Sequence, residues 1–202
     1  MNQRFIYLAS ASPRRRALLE QIGVRFRVNP VDLDESRLGD EPPKDYVLRL
    51  AKAKAETAAS LLPRDSVVLG ADTTVVIGGE VFAKPRDRED ALSMLTRLSG
   101  SEHEVHTAVC AVQNDELYTE ISTNRVRFRR LEEIEIERYW ASGESADKAG
   151  AYSIQGLGAV FIENIEGSYS GVMGLPLFET ARVLGKCEID VLDQDKRCAK
   201  NY

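Results

Sequence analysis

The first stretch with unusual chemistry is a run of three arginines at positions 14–16, directly after a Ser-Pro pair. Serine and proline favour the first positions of a helix. Because a helix N-terminus carries partial positive charge, three cations in its first turn are unfavourable unless an anion binds among them. The hydroxyls of Ser10 and Ser12, the N–H groups of this turn and the guanidinium groups of Arg14 and Arg15 would together suit phosphate oxygens. We therefore predict a phosphate site here; a solvated basic helix face is the alternative.

Two acidic residues are candidates for holding a hard cation. Asp72 lies in GADTTVV, between an apolar run and a β-branched run, where we expect a strand kink to hold its carboxylate rigidly. Glu35 lies in the acidic stretch DLDES. Mg²⁺ prefers oxygen ligands and keeps several waters, so that one or two carboxylates suffice. Taken alone, either residue fits a turn or a solvated loop equally well.

Two lysines could bring further positive charge to a triphosphate. Lys54 lies in LAKAKAE and Lys84 in FAKP, although lone lysines on a helix or near a hairpin usually face solvent. The sequence contains no GxxxxGK[ST] motif, and GLGAVF, which starts at Gly156, fails the GxGxxG spacing. A Walker-type P-loop is therefore excluded, and a dinucleotide-binding fold has no support in the sequence.

Composition limits the class of protein. A chain of 202 residues with 43% hydrophobic residues can bury a core, and we expect one domain over residues 1–190 with a polar tail over 191–202. The net charge of −5 argues against nucleic acid as a partner.

We find no apolar run long enough for a membrane span and no signal-peptide pattern, so we expect a soluble, cytoplasmic protein. Three cysteines without a CxxC spacing, and only two histidines, favour neither a disulfide framework nor a zinc site.

Alternating strand and helix patterns must position these side chains, and they predict an α/β fold with a mixed, partly antiparallel sheet. The strand RFIYLA comes first, followed by the arginine helix, which stops at Gly23 and whose apolar stripe is Ala17, Leu18, Leu19 and Ile22. We then expect a long proline-bracketed helix, a Gly-Gly hairpin after GADTTVV and a further helix. Two long strands joined by an Asn-Asp turn, another helix, glycine-broken strands and a helix from about Pro176 complete the prediction.

Six segments in this order resemble the Maf family of nucleoside triphosphate pyrophosphatases, from Tyr7 to about Leu184. They are LASASPRRRALL, VLRLAKAKA, VLGADTTVVIGGEVFAKPRD, ALSMLTRLSGSEHEVHTAV, DKAGAYSIQGLGAVFI and SGVMGLPLFET. The resemblance implies hydrolysis between the α and β phosphates with Mg²⁺ or Mn²⁺ as cofactor, and a homodimer. The implied fold is similar to that of inosine triphosphatases, an elongated mixed sheet flanked by helices with a cleft between two lobes.

The resemblance also implies a role for each matching residue. Ser10, Arg14 and Arg15 would bind phosphates, and Lys54 and Lys84 would contact the triphosphate. Glu35 would help to hold the metal, together with Asp72. Asp72 would be the base that activates water, and Gln155 would read the nucleobase.

The motif KAGAYSIQGLG, with Gln155, is similar to the branch that hydrolyses dTTP and UTP. A glutamine amide offers one acceptor and two donors, which suits the edge of thymine or uracil. Two positions depart from the family pattern. Asp34 lies where a glutamate is common, and its shorter side chain favours Glu35 as the metal ligand. Ser153 lies where glycine is frequent. The alternatives are the branch that acts on methylated GTP, an enzyme for another phosphoanhydride such as a nucleotide sugar, and a non-hydrolytic regulator of cell division. Removal of non-standard nucleotides is a further role open to the enzyme.

Overall fold

The computed structural model describes residues 5–192 of the chain. The strands of this part are β1 (Ile6–Leu8), β2 (Phe26–Val28), β3 (Val68–Ile77), β4 (Glu80–Phe82), β5 (Glu102–Gln113), β6 (Glu116–Phe128) and β7 (Ile162–Glu166). The α-helices are α1 (Pro13–Gln21), α2 (Pro43–Ala59), α3 (Arg88–Leu98), α4 (Glu133–Ala141), α5 (Tyr169–Met173) and α6 (Leu177–Lys186). Most of the expected polar tail, residues 193–202, lies outside the described residues.

All seven described strands join one mixed sheet. The order is β2-β1-β3-β5-β6-β7, and β4 pairs with β3 outside this path. Strand β1 is parallel to both β2 and β3, whereas the other pairings are antiparallel. The predicted α/β fold with a partly antiparallel sheet is confirmed.

Strand β3 runs without a break through Asp72, so the strand kink expected there is wrong. The reason is its pairing with β5, which continues from Val68 to Val76. Gly70 does not bend the strand; it lets helix α2 approach, because a Cβ at Gly70 would lie 2.4 Å from the carbonyl oxygen of Ala51. The absence of a side chain at Gly70 therefore lets α2 pack closely on β3, and this packing brings residues of both elements together.

The turns and the first helix follow the sequence patterns closely. Gly78 and Gly79 have positive φ angles in the β3–β4 hairpin, and Asn114 and Asp115 do so between β5 and β6, as two-residue hairpin turns require. Helix α1 has Ser12 at its N-cap and proline in its first turn. Its buried residues are Leu18 and Leu19, while Ala17, expected in the apolar stripe, is exposed.

The region after α4 differs from the predicted glycine-broken strands. It contains two short 3₁₀ helices, Ala149–Ala151 and Leu157–Phe161, then β7 and the five-residue helix α5. Ser168 caps α5 through its side chain, which accepts from the N–H of Gly171. This cap and the positive φ of Gly174 begin and end a short helix. From its sequence alone, this glycine-rich segment resembles a loop.

The buried side chains form two large clusters. One, around β1, α1 and α6, includes Ile6, Leu8, Leu18, Leu19, Leu69, Leu175 and Leu184. The other, around α3 and α4, includes Phe82, Leu95, Leu98, Phe128, Ile136 and Phe161. The expected cleft between two lobes corresponds to the junction of these clusters, because both contribute to the cavity described below.

Two further expectations concern covalent links and membranes. In the part of the chain that the structure describes, Cys110 and Cys187 are buried and free. Within the same part, none of the helices combines the length and the apolar character that a membrane crossing needs.

Candidate active site

A cavity of about 410 Å³ lies where the chain leaves β1. Strand β1 pairs with the start of β3 at Val68 and Leu69, and β4 pairs with its end from Val75 to Ile77. Within the described chain, residues 70–74 of β3 have a strand partner in β5 alone. The cavity occupies the gap, at the carboxyl end of a parallel strand, which is the usual ligand position in open α/β sheets.

Arg15 is held on one wall of this cavity by three hydrogen bonds. Its Nε donates to the carbonyl oxygen of Gly174 at 2.8 Å, Nη1 donates to Oγ of Ser10 at 3.0 Å, and Nη2 donates to Oγ1 of Thr73 at 3.3 Å. Burial lowers the pKa of Arg15 and the charge of Asp72 opposes that effect, but a guanidinium keeps its charge in a protein. A fixed cation therefore faces the cavity from the first turn of α1.

The three consecutive arginines separate into two environments. Arg14 and Arg15 line the cavity, whereas Arg16 is exposed and does not. Ser12 also lines the cavity, and its side chain makes no capping hydrogen bond. Pro13 has no N–H, and the N–H of Arg16 donates to the carbonyl oxygen of Ser12. The N–H groups of Arg14 and Arg15 are therefore the ones that a ligand oxygen can approach, as in a phosphate site at a helix N-terminus.

Lys54, on α2, joins two carboxylates. Its Nζ lies 2.7 Å from Oδ1 of Asp72 and 2.6 Å from Oε1 of Glu35. Lys54 and Asp72 are both buried, while the Glu35 side chain is 44% exposed at the cavity. The structure thus brings together three of the residues selected from the sequence, and Lys54 is not the solvent-facing lysine that its position on a helix suggested.

Burial and charge act differently on the two carboxylates. Burial raises the pKa of Asp72, against the lowering effects of the Lys54 and Arg15 charges. Burial also acts to raise the pKa of Glu35, but the hydrogen bond and charge of Lys54 and the charge of Lys84 outweigh it and lower that pKa. Two neighbouring carboxyl groups whose pKa values are shifted in opposite directions can take different chemical roles. One can accept a proton, while the other stays ionised.

The loop that carries Glu35 is anchored to α2. The hydroxyl of Tyr46 donates to the carbonyl oxygen of Glu35 at 2.9 Å, and Nη2 of Arg49 donates to the carbonyl oxygen of Ser36 at 3.0 Å. The neighbouring Asp34 is exposed, and its carboxylate accepts from the N–H of Ser36 in a local turn. Of the two acidic residues, Glu35 alone lines the cavity.

Glu35 and Asp72 are the residues here that suit a divalent cation. Between residues 5 and 192, no group of three or more histidine, cysteine, aspartate or glutamate side chains is arranged to hold a metal. Two converging carboxylates nevertheless fit Mg²⁺ or Mn²⁺, because such ions complete their coordination with waters and substrate phosphates. The donor set is compatible with a metal that arrives with a phosphate ligand.

The cavity also contains charged residues that sequence analysis missed. Lys84 lines it as expected, and so do Lys148 and Asp147, whose side chains form an ion pair with each other. Lys148 lies in the motif DKAG, and this motif was the sequence feature that could have identified it as a site residue. Thr73 lines the cavity too, but threonine in a β-branched strand carries no sequence signal of function.

Gln155 is not brought into the cavity. It is exposed, whereas its neighbours Ser153 and Ile154 are buried and line the cavity. Ser153, one of the two departures from the pattern that the resemblance implies, therefore forms part of the cavity wall.

A clamp holds the segment that contains Gln155. The carboxylate of Glu144 accepts N–H groups from Leu157 at 2.8 Å and Gly158 at 3.0 Å, and it accepts the hydroxyl of Tyr139 at 2.8 Å. The same hydroxyl oxygen accepts the N–H of Ser153 at 3.0 Å. Both ends of the segment 153–158 are thus fixed to α4 and the residues that follow it.

Comparisons with known proteins agree with the resemblance found in the sequence. Residues 5–187 match the family model described as Maf-like protein. The chain is 51% identical over 192 residues to the dTTP/UTP pyrophosphatase of Methylobacillus flagellatus, covering 95% of this chain and 96% of that protein. It is 53% identical over 190 residues to the dTTP/UTP pyrophosphatase of Alkalilimnicola ehrlichii, covering 92% and 94%. Among solved structures, the Staphylococcus aureus Ham1 protein matches 62% of this chain and 72% of its own, at 16% identity and a TM-score of 0.46.

Proposed function

The chain belongs to the Maf family, and on this premise we propose that it hydrolyses dTTP and UTP to the nucleoside monophosphate and pyrophosphate. The observation that carries the proposal is the convergence of Arg15 and the Lys54–Asp72–Glu35 cluster on one cavity. Five basic and three acidic side chains line this cavity. The excess of positive charge suits a polyanion, and the paired carboxylates suit a cation that accompanies it. Relatives at about half identity over nearly the whole length carry the same activity in their names.

In the proposed reaction, water attacks the α phosphorus and the bond to the oxygen bridging α and β breaks, with pyrophosphate as the leaving group. Arg14, Arg15 and the first turn of α1 bind phosphate oxygens and hold the triphosphate in line for attack by water. Lys54 occupies Oδ1 of Asp72, so the other carboxylate oxygen would accept the proton of the attacking water. Lys84 adds positive charge at the cavity.

Glu35 and Asp72 would hold Mg²⁺ or Mn²⁺. When bound, such an ion neutralises phosphate charge and lowers the pKa of coordinated water. The remaining requirement on the chain is to keep both carboxylates in place, which the buried ammonium of Lys54 does.

A panel of nucleoside triphosphates, assayed separately for pyrophosphate and orthophosphate, tests the proposal. We expect pyrophosphate from dTTP and UTP only when a divalent cation is added, with lower rates on methylated GTP. Orthophosphate as the first product would contradict attack at the α phosphorus. Binding of UTP without pyrophosphate release would favour the regulatory alternative, and faster cleavage of a UDP-sugar than of UTP would favour the nucleotide-sugar alternative.

The homodimer and the cytoplasmic location that the sequence led us to expect stay predictions. Size-exclusion chromatography with light scattering tests the first, and cell fractionation tests the second. A role in removing non-standard nucleotides is tested by adding modified uridine triphosphates to the same panel.

A further inference from the structure

A chain of hydrogen bonds leads from Arg15 away from the cavity into the core. Nη2 of Arg15 lies 3.3 Å from Oγ1 of Thr73, which lies 3.0 Å from Oγ1 of Thr107. The Thr107 hydroxyl lies 2.8 Å from the carbonyl oxygen of Gly171. Thr73 and Thr107 are directly paired residues of β3 and β5.

The Thr107 hydroxyl is the donor in both of its contacts, toward the carbonyl oxygen of Gly171 and toward Oγ1 of Thr73. Its single proton is shared between these two acceptors. Oγ1 of Thr73 also accepts from Nη2 of Arg15, so the same oxygen atom is held by the Thr107 hydroxyl and by the guanidinium. Hydrogen bonds that share atoms in a low-dielectric interior depend on one another.

We propose that Thr107 is a positioning residue, which orients Arg15 for phosphate binding through Thr73. Thr107 is fully buried and is not among the residues that line the cavity. By donating to Oγ1 of Thr73, it fixes the position of the oxygen atom that accepts from Arg15. The inference rests on the proposed function, because it assigns Arg15 a phosphate ligand.

The geometry at Arg15 shows what this orientation provides. The described bonds to Gly174, Ser10 and Thr73 use one N–H on each of the three guanidinium nitrogens. Since each terminal nitrogen carries two N–H groups, one on Nη1 and one on Nη2 are left for a ligand. A fork of two N–H groups binds phosphate in a bidentate manner, but only when the guanidinium plane is held in one orientation.

Thr107→Val tests the role of the hydroxyl with little change in shape. We expect the KM for UTP and the Kd for inorganic tripolyphosphate to rise about three- to tenfold, the usual effect of one neutral hydrogen bond. Thr107→Ser retains the hydroxyl and should stay within about twofold of the wild-type chain. Thr180→Val is the matched control, because Thr180 is also fully buried and its hydroxyl oxygen has no hydrogen-bond partner in the described structure. All Kd values are measured well below the melting temperatures, so that a loss of stability alone does not alter them.

A double-mutant cycle separates positioning from a general effect on the fold. If Thr107 acts through Arg15, Thr107→Val should cause no further loss of tripolyphosphate affinity when Arg15 is already alanine. An equal loss in both backgrounds, or wild-type affinity in Thr107→Val, would overturn the inference. If the wild-type chain releases no pyrophosphate from any nucleotide, the proposed function fails. The tripolyphosphate cycle still decides, independently, whether Thr107 acts on Arg15.

Discussion

Lys54 and Asp72, 18 residues apart in the chain, form a buried ion pair with 2.7 Å between Nζ and Oδ1. Helix α2 carries the lysine and strand β3 the aspartate, and Gly70 permits the close contact of these elements. Despite the nearby cation, burial raises the pKa of Asp72. A carboxylate with a raised pKa is a stronger proton acceptor than an exposed one, which is the property that a general base needs.

Asp72→Asn removes the proton-accepting oxygen with almost no change in packing. We expect kcat to fall by about 10²-fold or more, the usual contribution of a positioned base. Nucleotide binding should largely survive, because the residues proposed to bind the phosphates, Arg14 and Arg15, are unchanged. The measurements are kcat and nucleotide Kd on one preparation. Asp65→Asn is the control, since Asp65 is exposed and does not line the cavity. A fully active Asp72→Asn enzyme would mean that the water is activated elsewhere.

The raised pKa of Asp72 predicts the acidic limit of activity. If Asp72 is the general base, the reaction requires its ionised carboxylate, so kcat/KM should fall as pH decreases through a value above the ordinary 3.8 of aspartate. Glu35 has a lowered pKa and does not account for a limb in that range. A kcat/KM profile measured from neutral to acidic pH checks the prediction. A midpoint at or below 3.8 would contradict it.

The same shift predicts how stability depends on pH. Because the pKa of Asp72 is higher in the folded chain, protonation favours folding, and this contribution is lost as pH rises through the folded pKa. Asp72→Asn has no such titration. The melting temperature of the wild-type chain, relative to that of Asp72→Asn, should therefore decrease between acidic and neutral pH. An increase over the same range would show that the native carboxylate is stabilised by Lys54 and Arg15 more than burial destabilises it.

The arginine run provides its own internal control. Arg14→Ala and Arg15→Ala should each raise the KM for UTP, because a hydrogen bond to a charged group contributes about 1.5–3 kcal/mol, roughly 10- to 150-fold. Arg16→Ala should leave KM near that of the wild-type chain, since Arg16 is exposed and does not line the cavity. Steady-state kinetics of the three variants under one ionic strength check the prediction. Equal, small effects at all three positions would restore the interpretation of a solvated basic helix face.

Sequence patterns were sufficient for the parts of the fold that local chemistry determines. Ser12 at the start of α1, the two glycines of the β3–β4 turn and the Asn-Asp turn each have a short-range cause. The kink expected at Asp72 was wrong because a long-range pairing with β5 decides the course of β3. Helix α5 was missed because its cap, Ser168, lies in a glycine-rich stretch.

Residues of the candidate site could be selected from the sequence where a charge lies in an unusual local position, but not where a tertiary contact creates the proposed role. Arg14 and Arg15 were recognised because cations are unfavourable at a helix N-terminus. Lys54 looks like any helical lysine until α2 packs on β3, and Thr107 looks like any strand residue until its partners Thr73 and Gly171 are known. Such roles depend on contacts between residues far apart in the chain, which no local pattern contains.

Gln155→Glu tests whether the clamped segment 153–158 reads the nucleobase. The change removes both amide donors, so kcat/KM for UTP and dTTP should fall about tenfold, the loss expected for a hydrogen bond to a base edge together with an added charge. Inorganic tripolyphosphate has no base, and its Kd should stay unchanged. Gln21→Glu is the control, because Gln21 is exposed and outside the cavity lining. Unchanged rates on UTP and dTTP would show that Gln155, which is exposed beside the cavity, does not read the base.

Glu144→Gln tests the clamp itself. Its carboxylate accepts three hydrogen bonds, from Leu157, Gly158 and the hydroxyl of Tyr139, and an amide group would turn a donor toward at least one of these donors. We expect the KM for UTP to rise about three- to tenfold while the tripolyphosphate Kd is unchanged, because the segment proposed to read the base loses its fixed position. Glu135→Gln, on α4, is the matched control, since its carboxylate binds Arg129 and lies outside the cavity lining. Equal rises in KM for both variants would indicate a general loss of stability and contradict a role of the clamp in base recognition.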